Sequence, residues 1–245
     1  MKDNFSTQSD QYAKYRPVYP KEFYDYLDGI VKNKETAWDC ATGNGQVAME
    51  LAKRFRVVCA TDISAAQLAQ AQQLQGICYS IQPAEKTNFP DDCFDLVTVA
   101  QAIHWFDFEK FYVEMKRTAK PNAILVVMGY GKIEVTPEID SIINNFYKNT
   151  IGSYWDKERK YIDELYKTIP FPFEEIKTPS FFITYNWTLD HFMGYLGTWS
   201  AVKHYINDKG QNPLHLIQNQ LKDLWENDSI KKIRFPLLLR IGITQ

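Results

Sequence analysis

Trp38-Asp39-Cys40-Ala41-Thr42-Gly43-Asn44-Gly45-Gln46-Val47-Ala48 is the stretch from which the rest of this chain is read. It closes a short apolar run and opens an apolar-periodic segment, the strand, tight turn and helix that a nucleotide-type cofactor loop requires. Gly43 and Gly45 let the backbone approach a ligand closely and let the helix pack on the strand. The helix N-terminus adds free N–H groups and positive potential. Asp39, at the strand's carboxyl edge, offers a carboxylate where a cationic group could sit.

Outward from that loop, strand and helix signals alternate. Upstream, Pro17 and Pro20 punctuate a polar-aromatic leader, and a helix is predicted from Lys21 to Val31. The first strand covers Thr36 to Cys40. Downstream, Val47, Leu51 and Phe55 recur at helical spacing, and Arg56 to Thr61 reads as a fully buried parallel strand ending at Asp62. Ser64 with Gln67 three residues on is a capping-box signature for a helix to about Leu74. Strands follow at Cys78–Gln82, Phe94–Ala100 and Ile124–Met128, with a helix at Asp107–Ala119. Such alternation argues for a parallel, doubly wound sheet with right-handed crossovers. Beyond Gly131 the pattern changes to helices near 137–150, 155–168, 189–206 and 213–226, a strand ending at Tyr185 and a last strand at Ile233–Ile243. No repeat or linker marks a boundary, so residues 1–245 read as one domain, with 1–20 an N-terminal cover and 132–170 and 188–228 helical cover elements.

A chain of 245 residues with 45% apolar content can bury a sizeable core. Its net charge of −2, with basic and acidic residues interspersed, gives no basic face for nucleic acid. The aromatic share of 15% fits a bulky core or an aromatic-lined pocket, and points to small substrates. The four cysteines, Cys40, Cys59, Cys78 and Cys93, show no Cys-x-x-Cys spacing, so neither a metal site nor a disulfide is expected. The N-terminus lacks a signal-peptide apolar region and no run reaches membrane-spanning length, so a reduced, cytoplasmic protein without a membrane partner is expected.

Two cofactors compete for the loop. Gly43-Asn44-Gly45-Gln46-Val47-Ala48 satisfies G-x-G-x-x-A, and Asp62, 19 residues beyond Gly43, stands where a dinucleotide enzyme holds its ribose. S-adenosylmethionine wants the same acid. Asp39 helps to choose: its charge is unhelpful beside a diphosphate and favourable beside a methionyl ammonium.

Taken together, Asp39 to Gly45, Asp62-Ile63-Ser64, Pro83-Ala84-Glu85, Phe89-Pro90, Phe94 to Val97 and Gln101 to Phe106 resemble a class I S-adenosylmethionine-dependent methyltransferase. Tyr12 to Pro20, Thr198 to Ala201 and Phe235 to Gly242 are similar to the small-molecule branch that includes trans-aconitate methyltransferase. The resemblance implies a Rossmann-like, doubly wound seven-stranded α/β sheet, last strand antiparallel, with a helical lid. Three departures stand out. Ala41 replaces the loop's first glycine, Pro121-Asn122-Ala123 replaces Pro-Gly-Gly, and Gly197 stands where relatives often carry arginine.

By the same resemblance Asp39, Ala41 and Gly43 would surround the methionine part of S-adenosylmethionine and Asp62 would take the ribose hydroxyls. Ile63 would pack on adenine, Ala84 and Glu85 would meet its edge, and Gln101 would line the cofactor. Arg16 would bind a carboxylate of cofactor or substrate; Tyr15, Trp105, Trp199 and Arg240 would face the acceptor. Arg16 and Arg240 read equally as salt-bridge partners, and Trp199 as a core aromatic. His104 is the candidate base, its usual pKa of about 6.5 suiting proton transfer near neutrality, or else a hydrogen-bonded structural histidine. His191, His204 and His215 fall on outer helices and are expected at the surface. The expected reaction is methyl transfer to a small molecule, with a carboxylate oxygen as one acceptor. A nicotinamide-dependent oxidoreductase and a catalytically silent cofactor-binding module are the alternatives.

Overall fold

The computed structural model describes residues 15–226 and 229–244. Chain order runs α1 (Lys21–Ile30), β1 (Thr36–Cys40), α2 (Gln46–Leu51), β2 (Val57–Asp62), α3 (Ala65–Leu68), β3 (Ile77–Ile81), β4 (Phe94–Ala100), α4 (Phe108–Thr118) and β5 (Ala119–Tyr130). It continues through α5 (Pro137–Asn145), α6 (Lys160–Asp163), β6 (Glu174–Glu175), β7 (Phe182–Trp187), α7 (Leu189–Gly197), α8 (Ser200–Lys209), α9 (His215–Trp225) and β8 (Lys231–Ile243). Among the described residues the sheet order is β3-β2-β1-β4-β5-β8-β6, and β7 pairs with β8 off that path. β1 to β5 are mutually parallel, whereas β8 runs antiparallel to β5, β6 and β7. The doubly wound α/β fold with an antiparallel last strand is the one expected, but the sheet holds eight described strands rather than seven, because the short β6 and the off-path β7 both pair with β8.

β8 joins the two halves. Its residues Leu237 to Ile243 pair with β5, while Lys231 to Pro236 pair with β7, which carries the chain into the helical cover. The sheet is buried on both faces, as parallel sheets must be. Phe23, Leu27, Val58, Ala60 and Val126 pack one side, and Trp38, Val97, Phe111, Met115 and Leu125 the other. A separate core unites Phe146, Trp187, Phe192, Trp225 and Phe235 beneath the cover. Two caps set helix starts as their sequences require: Asp107 accepts from Lys110 N at 3.3 Å, and Ser64 accepts from Gln67 N at 3.3 Å. No described helix is long and apolar enough to cross a membrane.

Local structure corrects several expectations. β2 is not buried throughout, since Val57 and Cys59 are half-buried. The helix after Ser64 stops at Leu68 rather than Leu74. β5 begins at Ala119, so Pro121-Asn122 lies within the strand at a register shift against β4, with Asn122 at φ 63°. The helix expected at 155–168 breaks up because Leu165 and Tyr166 take φ of 57° and 61°. Fully buried Tyr166 is driven into the core there, and tertiary packing overrides helix propensity. The helix expected at 189–206 splits at Thr198-Trp199, just after Gly197, where Trp199 turns extended and is buried.

Candidate active site

The loop from β1 to α2 is built from left-handed backbone: Ala41, Gly43 and Gly45 take φ of 56°, 58° and 83°. Two of these positions suit glycine, and at Gly45 a Cβ would also collide with the Tyr79 hydroxyl. Ala41 is the costly case, an L-residue held in αL at roughly 1–2 kcal/mol. The loop opens at the carboxyl ends of the strands, where ligands bind in such sheets. A cleft lies there, lined by the Ala41–Asn44 loop, Asp62 at the end of β2, Ile63 and Ser64 just beyond it, Gln101 beyond β4, Trp105, and Tyr130 at the end of β5. Arg16, Pro17 and Tyr19 line it from the N-terminal side.

Asp62 is the fixed acid of this cleft. Its Oδ2 accepts the Gly43 N–H at 2.9 Å and its Oδ1 accepts the Ser64 N–H at 2.8 Å. Only 8% of the residue is exposed, so the carboxylate cannot swing away. Arg16 donates to the Tyr130 hydroxyl at 2.9 Å and to the Thr198 carbonyl at 3.3 Å, tying the leader to both β5 and the cover. Gln101 sits at φ 53°, a bend that turns the chain out of β4 into the 3-10 turn Ile103–Trp105. Its Nε2 donates to the Tyr130 carbonyl at 3.4 Å.

A second, smaller cavity adjoins the first and shares Arg16, Gln101 and Trp105 with it. His104, Trp155, Asp156, Arg159, Ile162, Trp199 and Ser200 also line this chamber. His104 is 6% exposed; burial, then the nearby Arg159 charge, lowers its pKa to about 3, so the ring is neutral near pH 7. The Tyr166 hydroxyl stands 3.5 Å from His104 Nδ1, long for a hydrogen bond.

Of the residues expected at the site, Arg16, Ala41, Gly43, Asp62, Ile63, Gln101 and Trp105 line the cleft, while His104 and Trp199 line the chamber. Asp39 does not reach the cleft wall. It lies wholly buried beneath the loop, accepting from Thr98 Oγ1 at 2.8 Å, from Thr42 Oγ1 and from the Ala48 N–H. Burial raises its pKa to about 6 against the pull of those bonds. Ala84 is packed in the core, and Glu85 accepts the Asp107 N–H at 3.2 Å, so neither lines the cleft.

Tyr15 lies outside both cavities and packs edge-on against His191 at 5.0 Å. Arg240 is a further correction. Its guanidinium grips both Glu175 oxygens at 2.9 and 2.8 Å, donates to the Ile169 carbonyl at 2.6 Å and stacks on Phe171. It fastens β8 to the 166–175 segment, which makes it a salt-bridge partner rather than a substrate contact. His191 and His204 are half-buried, and His215 is exposed. Phe5 and Tyr12 of the expected N-terminal cover lie outside the described residues.

Sequence reasoning missed Tyr130, Asp156 and Arg159. Tyr130 was findable, since it ends a strand at the ligand-binding edge. Asp156 and Arg159 sit in a charged run, Asp156-Lys157-Glu158-Arg159-Lys160, that looks like any solvated helix face.

Residues 38–127 match a family model described as a methyltransferase domain. A Dictyostelium discoideum protein named as a methyltransferase is 31% identical, the match covering 97% of this chain and 93% of the relative. The solved structure of a protein described as a type II methyltransferase from Anaeromyxobacter dehalogenans is 35% identical, with a TM-score of 0.87, covering 94% of this chain and 98% of that one. A methyltransferase structure from Anabaena variabilis, at 14% identity, TM-score 0.56 and coverage of 89% and 98%, shares the fold. The chain belongs to the class I S-adenosylmethionine-dependent methyltransferases.

Proposed function

From that membership, we propose that this protein methylates a small carboxylic acid on a carboxylate oxygen. The observation that carries this reading is the pair of adjoining cavities, which have Arg16, Gln101 and Trp105 in common. Cofactor in the cleft and acceptor in the chamber would meet across those three side chains.

The cleft residues fit the cofactor. Asp62, with each oxygen already held by a backbone N–H, presents its remaining lone pairs to a ribose diol. Ile63 offers an apolar surface for adenine, and the Gly43 loop suits the methionine part. Arg16 is the one lysine or arginine among the described cleft residues, enough for a single carboxylate and poor for a diphosphate. Asp39, Ala84 and Glu85 support the loop and the neighbouring turn from behind.

Bound S-adenosylmethionine supplies a methyl group activated by its sulfonium. The chain's own work is alignment, worth about 7–11 kcal/mol in good intramolecular analogues. A carboxylate with a pKa near 4 is ionised at neutral pH, so no residue has to remove a proton. His104, neutral and buried, serves the chamber as a hydrogen-bonding wall. Trp105, Trp155 and Trp199 exclude water from the reacting oxygen. The similarity of Tyr12–Pro20, Thr198–Ala201 and Phe235–Gly242 to the trans-aconitate methyltransferase branch supports an acidic acceptor.

The test is methyl transfer from labelled S-adenosylmethionine to a panel of small acids. Methyl esters release methanol in mild alkali. Alkali-labile product is expected; only alkali-stable product would overturn the carboxylate-oxygen reading.

A further inference from the structure

The wall of the chamber carries two charged groups, Asp156 and Arg159, that are not paired with each other. Asp156 stands at the N-cap of the 3-10 turn Lys157–Arg159, where a carboxylate ordinarily accepts from its own helix, yet its side chain makes no capping bond. Its Oδ2 is buried and meets no donor among the described residues. Leaving such an oxygen unsatisfied is costly unless a ligand supplies the hydrogen. Arg159, three residues on, lines the same chamber but forms no ion pair with Asp156 within 4.0 Å.

Arg159 is held for a different task. Its Nε donates to the Tyr147 hydroxyl at 2.8 Å, and its guanidinium lies 4.6 Å from the Trp155 ring centroid and 5.5 Å from that of Tyr147. Those contacts orient the fork and leave its two terminal nitrogens without an acceptor among the described residues. A planar, pre-oriented guanidinium is suited to a bidentate anion. Neither residue lines the cofactor cleft; both line the chamber beside it.

We propose that Asp156 and Arg159 together recognise the distal end of the acceptor, which carries an anionic group on Arg159 beside a hydroxyl or ammonium donor on Asp156. The acceptor is thus a hydroxy- or amino-acid head group joined to the reactive carboxylate. This inference rests on the proposed placement of the acceptor in the chamber.

The test uses three five-carbon probes, the four-carbon 4-aminobutyrate, and the one-carbon-longer homologue of each. Glutamate and 2-hydroxyglutarate carry both distal groups, glutarate lacks the donor, and 4-aminobutyrate lacks the distal anion. Binding is read from tryptophan fluorescence, with Trp105, Trp155 and Trp199 in the chamber wall, on full-length protein with and without S-adenosylhomocysteine. At least one two-group probe should bind ten-fold or more tightly than both truncated ones. Asp156→Ala should erase the advantage over glutarate, and Arg159→Gln the advantage over 4-aminobutyrate, each without changing S-adenosylhomocysteine affinity. Equal binding of all four probes, no binding by any, or an undiminished preference in Asp156→Ala overturns the proposal. If the order holds and no methyl ester forms, the recognition pair stands and the carboxylate-oxygen reaction falls.

Discussion

The Asp62 carboxylate accepts the Gly43 N–H at 2.9 Å, so the acid at the end of β2 holds the glycine loop of β1 while facing the cleft. One side chain thereby sets both the shape of the loop and the acceptor for a ribose. Asp62→Ala should weaken S-adenosylmethionine binding by about 1.5–3 kcal/mol, the range for hydrogen bonds to a charged group. It should also lower thermal stability, because Gly43 and Ser64 lose their tether. Calorimetry decides, and unchanged affinity would remove Asp62 from the site.

Asp39 makes stability depend on pH in an unusual direction. Its folded pKa of about 6 lies above the usual carboxylate value, so the native state binds the proton more tightly than the unfolded chain. This group therefore favours folding below about pH 4 and loses that contribution as pH rises to about 6. Asp39→Asn removes the effect. The stability of Asp39→Asn minus that of the parent should fall by about 2.4 kcal/mol between pH 7 and pH 4. Denaturant titrations at both pH values measure it, and a constant difference would rule out a native proton on Asp39.

His104 works in the opposite sense. With its pKa lowered to about 3, its contribution to stability is present above about pH 6.5 and drains away as pH falls toward 3. His104→Gln should flatten that acid limb. On a carboxylate acceptor the same variant should keep turnover within about ten-fold, and the parent's turnover number should show no inflection near pH 6.5. A loss of about 10²–10⁴-fold with cofactor affinity intact would instead make His104 a general base.

Arg240→Ala should behave as a structural lesion. Its bonds to Glu175 and to the Ile169 carbonyl, with its stacking on Phe171, fasten β8 to the preceding loop. A stability loss of about 1.5–3 kcal/mol is expected, with S-adenosylmethionine affinity unchanged. Chemical denaturation beside calorimetry tests this; weaker binding without lost stability would return Arg240 to the site.

The leader is expected to tighten over the cleft, because Arg16, Pro17 and Tyr19 line it and gating segments order around ligands. Gly194 sets where Tyr15 rests: a Cβ there would stand 2.5–3.0 Å from three atoms of the Tyr15 ring. S-adenosylhomocysteine should slow hydrogen exchange across residues 15–19 of the parent, and less so in Gly194→Ala. Identical protection with and without the ligand would end the idea of a cover.

Much of this molecule was legible in the sequence because its signals are local. Alternating apolar runs placed β1 through β4 within a residue or so, and the Gly43–Gly45 turn with Asp62 located the cleft. Those features depend on backbone freedom, strand periodicity and spacing along the chain, which sequence carries directly. Ala41 shows the edge of that reach: the sequence posed the question of its φ, and only the folded loop answered it, at 56°. The direction of a side chain was beyond reach. Asp39 turns beneath the loop toward Thr98, Arg240 closes on Glu175, and the expected 155–168 helix yields to a buried Tyr166. Asp156 and Arg159 enter one chamber with Trp199 because a broken helix and the α7–α8 bend bring them there. Each outcome involves partners 40 or more residues away, whose packing and hydrogen bonds outweigh local propensity.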